Sequence, residues 1–252
     1  MKAIVALLLA CAGCDAVFSV DHVREQLTPD ADVCAQGDED CDHRANASDA
    51  CPADFDTMAD ADGDGVGDAC DPDPAGAEGN HIAQFDGFDN NLGGWGITSG
   101  RWELGGGVFK QPETADTRVE KTVSMKFPSV EIIVLDLSTV GNGSVSAFGL
   151  AGASDVRCSV FKRESDGVET LEIGGVLLPG KQVALSGTGP LRIMGGQRQD
   201  GMFYCTARHG TNVDAIVMSG VAGPVTIDKV GFATSSASTT ISSITLYDVP
   251  MM

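Results

Sequence analysis

Residues 60 to 71 read Asp60-Ala61-Asp62-Gly63-Asp64-Gly65-Val66-Gly67-Asp68-Ala69-Cys70-Asp71, and no other stretch leaves the chain so little freedom. Carboxylates fall at loop positions one, three, five, nine and twelve, from Asp60, Asp62, Asp64, Asp68 and Asp71. The Val66 carbonyl is available at position seven, and Gly65 supplies the sharp turn at position six. Five like charges packed into twelve residues repel one another unless a hard cation neutralises them. Calcium takes about six to eight oxygens of this kind, so the spacing predicts a Ca2+ loop. Asp71 stands where a helix-loop-helix hand carries a long bidentate Glu, and Pro72 and Pro74 bar an exiting helix. The expectation is a calcium loop without its helices.

A second copy lies 22 residues upstream, with Asp38, Asp40, Asp42, Asn46 and Asp49 at the same five positions and the Arg44 carbonyl at position seven. It carries His43 where the turn wants glycine, so it is expected to be the weaker site. The wider pattern, from Asp49-Ala50-Cys51-Pro52 to Asp68-Ala69-Cys70-Asp71, resembles the thrombospondin type 3 repeat, in which wire-like chain wraps calcium ions and is stapled by disulfides. That resemblance implies a Cys51–Cys70 bridge, which would constrain the unfolded chain by about 3 kcal/mol. Cys34 with Cys41 follows by neighbourhood; Cys34 with Cys51 and Cys41 with Cys70 is the alternative. A zinc site is disfavoured, because no CxxC knuckle is present.

The formal charge is −20 over 252 residues, and residues 30 to 73 hold −14 of it, with 15 Asp/Glu against Arg44 alone. Without a basic patch there is nothing to release counterions from a polyanion, so nucleic acid is not an expected partner.

Met1-Lys2, the apolar run Ala3 to Ala10 and the small-residue exit Cys11-Ala12-Gly13-Cys14 form a short secretion signal, too short to span a bilayer. Ala-Gly-Cys at the exit resembles the bacterial lipobox, which implies acylation of Cys14 and attachment to a membrane of the cell envelope. Cleavage before Cys14 leaves six other cysteines, an even set suited to disulfides, whereas cleavage before Cys11 strands an odd thiol. The expected organisation is a signal peptide over 1–13, a linker over 14–29, a calcium-binding stalk over 30–74, a linker over 75–80 and one large domain over 81–252.

In the large domain, short alternating runs are separated by Gly, Ser, Asn and Asp. Examples are Val119 to Met125, Val130 to Leu137, Gly143 to Leu150, Val156 to Lys162, Val225 to Ala233 and Ser243 to Val249. About eleven such runs, with no convincing amphipathic helix, predict an all-β jelly-roll sandwich of two sheets. Phe85-Asp86-Gly87-Phe88 with Trp95, Gly100-Arg101-Trp102-Glu103 and Gly105-Gly106-Gly107-Val108-Phe109 resemble the opening of concanavalin A-like lectin/glucanase sandwiches of the LamG type. Cys158 and Cys205 sit mid-strand, which suits a disulfide between paired or facing strands.

A glucanase of that class would carry a Glu-x-Asp-x-x-Glu strand to bring two carboxylates together. No such run occurs; Glu131 with Asp136 and Glu169 with Glu172 have other spacings and read as solvent-facing or loop positions. Trp95 and Trp102 read as core residues. The expectation is therefore a non-catalytic, calcium-binding envelope lipoprotein presenting its sandwich to a carbohydrate or a surface protein. A glycan-active enzyme and a purely structural envelope protein stand as alternatives.

Overall fold

The structure is a computed structural model that describes residues 37–55, 58–72, 80–89, 91–125, 128–176, 178, 180–198, 201–210, 212–220 and 225–248. The expected signal peptide, Cys14, Cys34 and both linkers except Asn80 lie outside the described residues. Twelve strands follow one another in one hydrogen-bonded network. They are β1 (His81–Asp86), β2 (Gly96–Ser99), β3 (Glu103–Leu104), β4 (Phe109–Met125), β5 (Pro128–Ala151) and β6 (Ser154–Arg163). The remainder are β7 (Glu169–Gly174), β8 (Lys181–Ala184), β9 (Leu191–Gln197), β10 (Met202–His209), β11 (Asn212–Gly220) and β12 (Ile227–Asp248). Helical backbone among the described residues is confined to a 3-10 turn at Asn46–Ser48.

Two long strands make this network a sandwich. β5 and β12 pair antiparallel from Pro128↔Asp248 to Leu150↔Lys229, with register shifts between Ser235 and Ala237 and between Thr240 and Ser243. The first half of β5 also pairs with β9, which continues to β10 and β11, while its second half pairs with β6, which continues to β7 and β8. On the far side of β12, β1 joins the first layer, and β4 with β2 joins the second.

The sequence leads one to expect Val130–Leu137 and Gly143–Leu150 as separate strands, and likewise Val225–Ala233 and Ser243–Val249; each pair is one strand instead. The Gly and Ser residues that look like turns bend the chain from one layer to the other without ending its pairing. Gly143 is needed at that bend, because a Cβ there would sit 2.4 Å from the Ser236 carbonyl.

Alternation along these strands sends one side chain in two into the core. Ile132, Val145, Val160, Leu171, Ile193, Phe203, Phe232 and Ile241 are all buried between the layers. Trp95 and Trp102 are core residues; Trp102 stacks on Phe109 at 4.7 Å and meets Phe232 edge-on at 5.1 Å. A disulfide joins Cys158 on β6 to Cys205 on β10 across the layers, with Cα atoms 5.1 Å apart. Gly195 on β9 permits that approach, since a Cβ there would lie 2.7 Å from the Cys158 Cβ.

Residues 37–72 do not form a free stalk. Cys51, Val66 and the Cys51–Cys70 disulfide pack on Met194, Tyr204, Tyr247 and Ile82, which face outward from the first layer. That layer offers an apolar patch on its outer side, and the stapled segment covers it.

Candidate functional site

The two acidic loops are built by the same hydrogen bonds. Asp60 accepts the N–H groups of Asp64 (3.2 Å) and Gly65 (3.0 Å), and Asp64 accepts that of Val66 (2.8 Å). Asp38 likewise accepts from Asp42 (3.1 Å) and His43 (3.1 Å), and Asp42 from Arg44 (2.8 Å). The ninth residue closes each loop, with Asp68 accepting from Ala61 at 2.8 Å and Asn46 from Glu39 at 3.4 Å. His43 adopts φ 73° and Gly65 φ 94°, so the histidine takes the left-handed turn that glycine takes in the other loop. The backbone of the first loop therefore takes the same turn with histidine in place of glycine.

This geometry converges the carboxylates of Asp38, Asp40 and Asp42, and those of Asp60, Asp62 and Asp64, each set having oxygens within 4.8 Å of one another. The remaining predicted ligands are held differently. Asp71 accepts from the Asn80 side chain at 2.6 Å, Asp49 from the Cys51 N–H at 2.9 Å, and the Val66 side chain is buried against the sandwich. Arg44 turns its guanidinium onto Asp42 at 2.6 Å. Cys41, inside the first loop between Asp40 and Asp42, is disulfide-bonded.

The donor set fits a calcium ion. Asp40 Oδ2 and Asp62 Oδ2 are buried without a hydrogen-bond partner, which is costly for a carboxylate unless a cation faces it. Desolvation, and then the charges of Asp42 and Asp49, push Asp40 up to about 6. Desolvation, followed by the charge of Asp64, also raises Asp62, whereas N–H donors from Gly65, Gly63 and Asp64 overcome desolvation to hold Asp60 low.

A second constellation lies where the stapled segment meets the first layer. Arg192 on β9 donates to Asp54 at 2.5 Å and to the Ala53 carbonyl at 2.6 Å, and its guanidinium also faces Glu131 on β5 at 3.4 Å. Arg208 on β10 reaches Asp54 at 3.3 Å and the Ala69 carbonyl at 3.1 Å. Tyr247 on β12 donates to Glu131 at 3.1 Å. Burial pushes Asp54 up to about 6 against the pull of Arg192 and then Arg208, and burial with the adjacent Glu131 charge raises Tyr247 well above the usual phenol range. Asp54 and Arg192 line a groove of about 640 Å³ whose floor includes Ile133, the exposed Leu135 and Ser243.

Glu131 therefore is not the solvent-facing residue its alternation implies. Its side chain is 2% exposed, buried under a segment nearly eighty positions earlier in the chain. Asp54, Arg192 and Arg208 belong to no motif, and only their convergence in space marks them. Asn80, whose N–H donates to Asp64 at 2.5 Å, had only its place between the loop and β1 as a signal.

No protein-family model and no curated protein matches the sequence. Among solved structures the chain is similar to an apo Crh5 transglycosylase (TM-score 0.50, 12% identity, 68% of this chain and 85% of that one). It is also similar to the GH43 protein BlXynB from Bacillus licheniformis (TM-score 0.50, 13% identity), covering 67% of this chain and spanning only 39% of that one. A legume lectin-like domain from Entamoeba histolytica aligns at a TM-score of 0.46 and 8% identity over 62% of this chain and 91% of that one. Identities at this level speak to the fold alone, a β-sandwich. The expectation of a non-catalytic module is overturned here. Proteins named as a transglycosylase and a GH43 protein contain this sandwich, so the fold does not exclude catalysis.

The disulfides place the chain in an oxidising, exported setting. Among the described residues no helix is long and apolar enough to cross a membrane.

Proposed function

We propose that the protein is an exported, glycan-active β-sandwich whose working groove lies between the stapled segment and the outer side of the first layer. The observation that carries this reading is Asp54 and Arg192 lining one groove on the β-sandwich, with Arg208 paired to Asp54 behind it. Asp54, with its proton affinity raised by burial, holds a proton at mildly acidic pH and is the candidate acid toward a glycosidic oxygen. Arg192 lines the groove and orients ring hydroxyls or a sugar carboxylate, Arg208 holds Asp54, and Glu131 with Tyr247 fixes Arg192 in place.

The stapled segment completes one wall of this groove, so calcium in the two loops holds the site together. Asp38, Asp40, Asp42, Asp60, Asp62 and Asp64 would hold the ions. Cys14 would carry a lipid that tethers the protein to the cell envelope, with a surface glycan as the partner.

Purified protein with calcium should be incubated with neutral and acidic polysaccharides, and both cleavage and transfer products scored beside a glycan array. Turnover that Asp54→Asn abolishes while glycan binding persists is the expected result. Absence of both turnover and binding would overturn the proposal.

A further inference from the structure

We propose that His209 and Glu169 form a proton-held clasp between the two layers, closed while the pair keeps a proton between them and opened, with the connection before β9, when that proton passes to solvent. His209 ends β10 in the first layer, and Glu169 begins β7 in the second. The ring Nε2 lies 2.8 Å from the Glu169 carboxylate. Nδ1 lies 3.1 Å from the carbonyl of Gly189, in the connection between β8 and β9. A carbonyl oxygen only accepts, so Nδ1 carries a hydrogen. An ionised carboxylate likewise only accepts, so either Nε2 carries a second hydrogen or Glu169 itself does. In both cases the closed contact holds one proton more than a neutral imidazole beside a carboxylate.

The surroundings put that proton on the ring. Lys162, the cross-strand neighbour of Glu169 on β6, brings its ammonium to 3.5 Å from Oε1, while the ring takes Oε2. With an ammonium on its other oxygen, Glu169 is the carboxylate and His209 the carrier. Asp166, in the turn between β6 and β7, lines the same groove of about 440 Å³ but is paired with Arg163 at 2.9 Å. The β8–β9 connection brings Ser186 and Thr188 to the groove and no charged residue, and β9 pairs Leu191 with His209. Arg208 faces the other way, onto Asp54 and the Ala69 carbonyl. The His209 side chain is 8% exposed and that of Glu169 16%, so little water screens the contact. A neutral ring cannot serve both partners. It either keeps Gly189 and turns the Nε2 lone pair onto the carboxylate, or turns over and drops Gly189.

Closing therefore takes up a proton, so the clasp is shut in acid and opens as pH rises. Two main-chain bonds flank it and report on it: the Leu185 N–H donates to the Glu169 carbonyl at 3.0 Å, and the Gly210 N–H to the Pro190 carbonyl at 3.1 Å. The full chain, labelled with 15N in calcium-containing buffer, should be followed by NMR from about pH 5 to about pH 10. The His209 ring nitrogens are assigned by their loss in His209→Gln, and the protection of the two amides is read by pulsed hydrogen exchange. Protection of both amides is expected to fall at least about tenfold, with the midpoint at which Nε2 loses its proton. Glu169→Gln offers a carboxamide N–H that a neutral ring accepts, so in that variant the ring should titrate without the fall. Circular dichroism checks that the variant keeps the fold; where it does not, the coincidence of the two midpoints in wild type decides. Protection that stays constant while the wild-type ring deprotonates overturns the proposal, as does a fall of the same size and midpoint in Glu169→Gln.

Discussion

The main-chain N–H of Asn80 donates to the Asp64 carboxylate at 2.5 Å, so the residue just before β1 is bonded to the centre of the second acidic loop. The Asn80 side-chain amide adds a bond to Asp71 at 2.6 Å, so both aspartates are drawn to one buried residue, one through its main chain and one through its side chain. Ordering the loop and seating β1 are thereby one event. Calcium should raise the thermal midpoint of the whole sandwich, and Asn80→Ala should cut that calcium-dependent increment by the equivalent of about 1–3 kcal/mol. Equal increments in wild type and variant would mean that the side-chain bond to Asp71 plays no part in the coupling and leave it to the main-chain bond to Asp64.

Arg44 sets the two loops apart more than His43 does. Its guanidinium covers Asp42 at 2.6 Å, so a cation entering the first loop competes with a positive charge already seated on one of its ligands. Arg44→Ala should tighten calcium binding at the first loop by several-fold and leave the second unchanged, as read by calorimetry. Weaker binding in the variant would mean that Arg44 organises the loop.

The contrast between these loops marks what the sequence discloses. An acidic loop is local, so the turn at Gly65 and the convergence of Asp60, Asp62 and Asp64 are legible in their spacing, whereas the pairing of Asp71 with Asn80 is not. The sandwich was legible as a class, because alternation at positions such as Val156, Cys158 and Val160 follows from a two-layer core. The continuity of β5 through Gly141 and Gly143 was not, since glycine at a bend and glycine at a turn look alike without the partner strand. Glu131 was misread for a related reason. Alternation assigns it to the outer side of its sheet, and only the distant Asp54 segment decides whether that side meets water.

Asp54 gives this interface a pH dependence. Burial lifts its carboxyl from an ordinary value of 3.8 to about 6, so the docked state binds its proton more tightly than the unfolded state does. Its contribution is fully present below 3.8, declines as pH rises from there to about 6, and is flat above. The linked loss amounts to roughly 3 kcal/mol as an upper bound. Urea unfolding midpoints at intervals from pH 4 to pH 7 should show this slope in the difference between wild type and Asp54→Asn. Parallel curves across that range would mean that Asp54 titrates normally.

Arg192 is the residue on which the interface turns. Its side chain is 10% exposed, lies between the Asp54 carboxylate at 2.5 Å and Glu131, and holds both in place. Arg192→Met removes the nearer guanidinium from Glu131 and leaves only Tyr247 at 3.1 Å and Arg208 at 3.6 Å to balance a buried charge. Breaking a buried pair on one side costs about 3–5 kcal/mol, whereas removing both charges costs much less. Arg192→Met should therefore be destabilised by that amount in urea, and Arg192→Met/Glu131→Gln should recover a substantial part of it. If the double variant loses as much as the two single variants summed, Arg192 and Glu131 act independently, and Arg192 serves the interface through its bonds to Asp54 and the Ala53 carbonyl.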